Sequence, residues 1–279
     1  MPQDDIKVQA FTADHVSDAV ALSKQAGWPH RREDWELVLN FSKGWVAVDN
    51  AGRTVGTAVF TPFGATGGAL NMIIVAESLR GRGIGRRLFT TALDAAKGRR
   101  LRLTATPDGE PLYRSLGFKP FGRIFQRQGM LAAVPAIGGA EDAAAGDKDA
   151  VAKLDAAAFG EDRSALIDAL WKIGRFAVVR ENGAVQAFAC LRVFGRGILI
   201  GPVVAPSTRM AESLVGHLAA RQEGKFLRVD ITADTGLEGQ LDDMGLPQTD
   251  DGLVMWTEAP TIPPAGAART MVLASQALG

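Results

Sequence analysis

Leu70-Asn-Met-Ile-Ile-Val75-Ala-Glu-Ser-Leu-Arg80-Gly-Arg-Gly-Ile-Gly85-Arg-Arg-Leu-Phe-Thr-Thr-Ala-Leu93 is the stretch that decides the fold. Its apolar run stops at Val75 and a short turn follows. Arg80-Gly-Arg-Gly-Ile-Gly85 then leads into a segment with Leu88, Phe89, Ala92 and Leu93 on one helical face. A strand that feeds a glycine-rich turn and opens a helix is suited to holding phosphate. Glycines let the backbone curl until several N–H groups point one way, and side chains there would block an anion. The helix N-terminus adds partial positive charge. Arg80, Arg82, Arg86 and Arg87 surround the turn with full charges.

Three phosphate loops compete for this pattern. The nucleotide P-loop ends in Gly-Lys-Ser/Thr, where this chain has Arg86-Arg87. The dinucleotide fingerprint G-x-G-x-x-G, started at Gly81, needs glycine at position 86, which is Arg. The spacing Arg80-x-x-Gly83-x-Gly85 instead resembles the acetyl-CoA signature of the GNAT N-acetyltransferases, R/Q-x-x-G-x-G/A. An ordinary glycine turn ahead of a basic helix is the plain alternative. A second stretch separates the two. Residues 101–106 alternate as a strand, Pro107 opens a helix, and Leu112-Tyr113-Arg-Ser-Leu116 ends on Gly117-Phe118. This is similar to the "LY-x-x-x-GF" end of GNAT domains.

The resemblance carries expectations. Acetyl-CoA would be the co-substrate, its diphosphate held by main-chain amides of Arg80, Gly81, Arg82, Gly83, Ile84, Gly85 and Arg86. An amide near Ile73, Ile74 or Val75 would polarise the thioester oxygen, at strands that splay apart in this family. Tyr113, the chain's single tyrosine, would protonate the departing sulfur; its alternative is a half-buried ring packed on the sheet. One departure stands out: Thr106 occupies the place of an Asn common in the family seven residues before the tyrosine. Trp28 and His30 lie in the break between two helices, a loop that overhangs the acceptor site in GNAT domains. They are candidates for touching substrate; the alternatives are a hydrophobic plug and a solvated loop histidine. Glu33 and Asp34 read as helix-opening acids. No residue is singled out as general base.

The chain's 279 residues suggest two units. The net charge of zero argues against a nucleic-acid or membrane-surface binder. A lone Cys190 excludes an internal disulfide framework, and the three histidines show no metal-ligand spacing. Met-Pro-Gln-Asp-Asp at the start is no secretory signal, and no apolar run reaches membrane-spanning length. The expectation is a cytoplasmic protein, monomer or homodimer, that takes a small-molecule amine and needs no metal.

Read in order, residues 1–130 give β-α-α-β-β-β-α-β-α-β. Strands are expected at 6–11, 45–49, 54–60, 70–75, 101–106 and 122–128, helices at 12–25 (Thr12 as N-cap), 32–41 and 86–97, and a longer loop at 62–68. The fold class is α/β (α+β): two tandem GNAT-like domains, each a mixed, mostly antiparallel sheet flanked by helices. The stretch 131–149, rich in Ala, Gly, Pro and Asp, reads as a linker. The pattern then repeats over 150–258, where 175–180 echoes 44–49 and 197–204 echoes the strand ending at Val75. With Val204 laid on Val75, Glu212 falls where Gly83 stood, and Leu241 replaces the tyrosine. The second unit is therefore degenerate, fit to complete the acceptor pocket or to support a dimer. Residues 259–279 form a tail whose apolar run 269–274 docks back on the body. Two function classes follow: an acetyl-CoA-dependent N-acetyltransferase acting on a small amine or amino-acid-like acceptor, and a catalytically silent acyl-CoA-binding sensor or scaffold.

Overall fold

The computed structural model describes residues 6–132, 134, 137–220 and 222–279. The first half runs β1 (Lys7–Ala10), α1 (Val16–Gln25), α2 (Arg32–Leu39), β2 (Lys43–Val48), β3 (Thr54–Phe63), β4 (Gly67–Val75), α3 (Ile84–Ala95), β5 (Arg100–Ala105), α4 (Glu110–Ser115) and β6 (Lys119–Met130). The second runs β7 (Ala140–Asp142), α5 (Lys148–Phe159), α6 (Ser164–Ile173), β8 (Arg175–Glu181), β9 (Ala184–Phe194), β10 (Gly197–Ala205), α7 (Thr208–Ala219), β11 (Phe226–Thr232), α8 (Glu238–Asp243), β12 (Gln248–Trp256) and β13 (Arg269–Val272). All join one sheet in the order β1-β2-β3-β4-β5-β12-β6-β11-β13-β10-β9-β8-β7. Among the described residues only β4–β5 and β10–β11 pair in parallel.

Local chemistry explains the element ends. Thr12 stands at the N-cap of a 3-10 turn (Ala13–His15) that leads into α1, and its N–H donates to His15 Nδ1 at 2.9 Å. The helix α3 buries Leu88, Phe89 and Ala92, three residues of its apolar stripe, against the sheet. The loop expected over 62–68 is a short turn instead, because β3 continues to Phe63 and β4 already starts at Gly67. Gly67 and Gly68 let Glu161 and Phe60 lie on the ladder, where a Cβ would stand 2.3 and 2.5 Å from their nearest side-chain atoms. Part of the linker stretch is also ordered. β7 pairs with β8 and is tied to it by Arg180–Glu141 and Arg175–Asp142 ion pairs. The first five residues, residues 133, 135 and 136 of the linker, and Arg221 lie outside the described residues.

The two halves are interleaved. The strand expected to close the first unit, β6, pairs with β11 (Arg127 opposite Val229) and β12 (Ile124 opposite Gly252), both from the second half. β12 in turn occupies the place beside β5, with Leu253 opposite Ala105. Packing follows the same interleaving. The helices α1, α2, α5 and α6 share one core with Met72, Ile74, Phe188 and the tail's Ala274 and Leu278. Separate cores sit under α3 and under α7. Burying apolar side chains from both halves in one core makes separation of the halves costly. No helix among the described residues is long and apolar enough to cross a membrane.

Candidate active site

The site starts where the sheet comes apart. β4 and β5 pair only at Gly67–Arg100, Gly68–Leu101 and Ala69–Arg102, and beyond Ala69 they diverge. A bulge in β4 marks the divergence: Met72 adopts φ +50°, and Thr57 Oγ1 donates to its carbonyl at 2.6 Å. The slot opens into a cavity of about 370 Å³. Its first-half walls are Leu70–Ile73, Thr104–Pro107, Tyr113 and the α1–α2 loop with Trp28 and His30.

Tyr113 is buried and tilted on Phe89 with centroids 5.0 Å apart. Its ring lies against the backbone of Gly109, where a Cβ would come within 2.7 Å of Cε2. Burial pushes the phenol up to about 12, so it holds its proton at any physiological pH. Among the described residues its hydroxyl has no hydrogen-bond partner.

His30 is not a solvated loop residue. Its ring stands edge-on to Phe194 at 5.5 Å and to Trp28 at 5.7 Å. Its buried Nδ1 has no partner among the described residues. Burial lowers its pKa to about 4, so the imidazole is neutral at pH 7 and a poor base for an ammonium. Asp34, expected only to open its helix, does more. It accepts from Arg31 N–H at 2.9 Å, from the Arg31 guanidinium at 2.9 and 3.0 Å, and from Gly195 N–H of the β9–β10 turn at 3.0 Å. Burial alone would raise its pKa, but these donors hold the carboxyl below the usual range. The loop of one half is thus latched over the cavity to a turn of the other.

The glycine loop lies on the surface outside this cavity. Gly81 and Gly83 adopt φ +76° and +75°, and Gly83 is the N-cap of α3. The first amides of the helix, Ile84, Gly85 and Arg86, have no intrahelical acceptor; the first bond comes from Arg87 N–H to Gly83 O at 3.0 Å. Arg80 reaches Asp108 at 3.4 Å, and Arg86 reaches Ser115 Oγ at 3.2 Å. The cavity therefore gathers Trp28, His30, Ile73, Thr106 and Tyr113, while Arg80–Gly83 and Arg86 form a separate exposed surface with Ile84 buried beneath it. Ile74 is buried on the α1–α2 side, and Val75 packs near Gly85.

The strand β6 adds Gln126 and Gln128, and the second half supplies the other cavity walls: Phe194, Arg196, Arg228, Thr249–Gly252 and Ser275–Ala277 of the tail. The sequence reading named none of these, nor Asn71. One signal was available. Leu227-Arg-Val-Asp-Ile-Thr232 places Arg228 and Asp230 on one face of an apolar strand, a pattern that calls for a polar partner or a cavity. The degenerate copy also needs correction. Its helix α7 starts directly after β10, with Ser207 as N-cap accepting from Met210 N–H at 3.4 Å. Glu212 is therefore inside a helix and not at the place of Gly83, because the eight residues between β4 and α3 have shrunk to two between β10 and α7. β10 and β11 also diverge after Ile198–Leu227 and Leu199–Arg228, but β13 fills their gap, with Val272 opposite both Val203 and Ile231. Among the described residues, only the first half keeps an open slot.

A parallel pair that diverges at a bulge, followed by a glycine turn on a helix start, is the arrangement that the resemblance to GNAT domains leads one to expect. Two family models, each described as an acetyltransferase (GNAT) domain, match residues 40–120 and 151–267. The chain belongs to that family, with a GNAT match in each half. It is similar at 26% identity to YitH of Bacillus subtilis, an uncharacterized N-acetyltransferase, over 95% of this chain and 96% of the relative. In fold it is similar to a solved Pyrococcus horikoshii protein, with TM-score 0.81 and 20% identity over 100% of this chain and 98% of the other. It is also similar to a tandem GNAT protein of the clavulanic acid biosynthesis pathway, with TM-score 0.65 and 18% identity over 92% and 100%.

Proposed function

We propose that the protein transfers the acetyl group of acetyl-CoA directly to the nitrogen of a small amine or amino-acid-like molecule, in the cytoplasm. The observation that carries this is the single buried phenol, Tyr113, set where β4 and β5 diverge. The chain's residues fit the cofactor. Gly81 holds a left-handed turn over open space, Gly83 holds another at the N-cap of α3, and the amides of Ile84, Gly85 and Arg86 lack intrahelical acceptors, as an anion site at a helix start requires. Acetyl-CoA supplies an acyl thioester whose C–S bond breaks as the C–N bond forms. The amides of residues 81–86 hold the diphosphate, with Arg80 and Arg86 beside them, and Thr106 offers a hydroxyl at the slot's mouth. An amide on the free edge of β4 near Ile73–Val75 stabilises the charge developing on the carbonyl oxygen. Tyr113 delivers its proton to the sulfur, and the proton that the nitrogen loses as the C–N bond forms restores the phenol. The latched loop with Trp28 and His30 keeps bulk water from the reacting nitrogen.

Tyr113→Phe tests this. At a pKa near 12 the phenol is a weak acid, so its share sits at the low end for general acids, about 10² in kcat. Acetyl-CoA affinity, measured by calorimetry, stays within about twofold. If an amine panel shows no turnover while acetyl-CoA binds, a silent acyl-CoA sensor replaces the enzyme reading.

A further inference from the structure

The cavity's polar groups describe its second substrate more closely than "amine" does. On the first-half wall, Asn71 is 6% exposed. Its Nδ2 donates to Thr61 Oγ1 at 2.8 Å, which fixes the amide so that Oδ1 is the free acceptor. That oxygen and His30 Nδ1, an acceptor when the neutral ring carries its proton on Nε2, are both buried and without a partner among the described residues. A buried acceptor left unpaired is costly, and N–H groups from a ligand would satisfy it.

The second-half wall carries charge. Arg228 is engaged by Asp230 through three contacts of 2.9 to 3.1 Å. Asp251 is engaged by Arg123. That leaves one cation and one carboxylate in the cavity with no ion pair among the described residues. The cation is Arg196, its guanidinium 4.6 Å from the centroid of Phe226. The carboxylate is Asp250, which accepts from Asp251 N–H at 2.8 Å.

We infer that the acceptor is an aminocarboxylate: its carboxylate pairs with Arg196 of the second half, and its amine faces the unpaired acceptors of Asn71 and His30. This rests on the acetyl-transfer reading and gives the degenerate half a task, reading the acid group of the acceptor. Asp250 repels doubly anionic ligands, and the volume suits a small amino acid beside the pantetheine end.

The experiment compares amino acids with their decarboxylated amines, such as tyrosine with tyramine, lysine with cadaverine, and leucine with isopentylamine. Transfer from acetyl-CoA is measured first. Binding to the CoA-saturated protein is measured separately by calorimetry. For at least one pair, the carboxylated member should show kcat/KM about tenfold or more above its amine, as expected when a charged hydrogen bond is lost. Arg196 is exposed, so Arg196→Gln folds normally; it should raise KM for the amino acid about tenfold and leave the amine unchanged. Amines that match or exceed their amino acids, or an Arg196→Gln effect equal on both members, overturn the inference. If nothing is acetylated, acetyl transfer fails on its own. Calorimetry then decides the acceptor: amino-acid binding that Arg196→Gln abolishes supports it, and no preference for the acid overturns it.

Discussion

Gly83→Val should weaken acetyl-CoA binding about a thousandfold while leaving the protein folded. Gly83 adopts φ +75° at the N-cap of α3, a conformation that a β-branched residue almost never takes. A left-handed residue costs about 1–2 kcal/mol, so the loop rearranges to avoid it. The rearrangement withdraws the Ile84, Gly85 and Arg86 amides from a common direction. Each hydrogen bond to a charged oxygen is worth about 1.5–3 kcal/mol, and losing two exceeds the 1.4 kcal/mol per tenfold by a factor of two or more. Gly98→Ala is the control. Gly98 also has a positive φ, +81°, over open space, but lies at the far end of α3. It should cost stability and leave calorimetric acetyl-CoA affinity unchanged. Equal affinity in the Gly83 variant would remove the loop from the cofactor's path.

Asp155→Ala should remove about 3–5 kcal/mol of folding stability, the cost of orphaning a buried charge. Asp155 and Arg163 are 1% and 0% exposed at their side chains, with bonds of 3.0 and 2.6 Å between them. Arg163 lies 3.8 Å from the Phe159 ring centroid and donates to the carbonyls of Leu278 and Gly279 at 3.3 and 2.6 Å. Nearby, burial and then the charge of Arg163 push the buried Arg102 down to about 9. Without Asp155 two neighbouring guanidiniums face each other in the interior. The tail they pin includes Ser275–Ala277 of the cavity wall, so acceptor KM should rise as well. Urea unfolding measures the first effect. Asp155→Leu combined with Arg163→Met should be more stable than either single change, since it removes both charges. A loss under about 1 kcal/mol for Asp155→Ala would show that the pair does not anchor the tail.

The first half was largely legible because its signals are local. A stripe of Leu88, Phe89 and Ala92 and a glycine turn each act within a few residues, although the helix expected to open at Pro107 starts at Glu110, with Pro111 in its first turn and residues 107–109 in a turn. The repeat was legible for the same reason. What could not be read was every choice made between distant segments. Nothing in residues 119–130 says that they pair with β11 and β12, since an alternating strand suits either half equally. The plug formed by β13 was visible only as an apolar run. The second-half wall of the cavity stayed hidden because Arg228 and Asp250 reach it on strands paired with the first half, and Arg196 on the distant β9–β10 turn. Asp34 was read from its helix position, and its partner Gly195 lies 161 residues away. The Glu212 alignment failed because it assumed two turns of equal length.

The most direct test is a crystal structure of the protein with coenzyme A. The account requires the diphosphate on the main-chain nitrogens following Arg80, the pantetheine threading the gap between β4 and β5, and the thiol beside the Tyr113 hydroxyl. A coenzyme lodged instead against α7, or anywhere that leaves the β4–β5 gap empty, would contradict it.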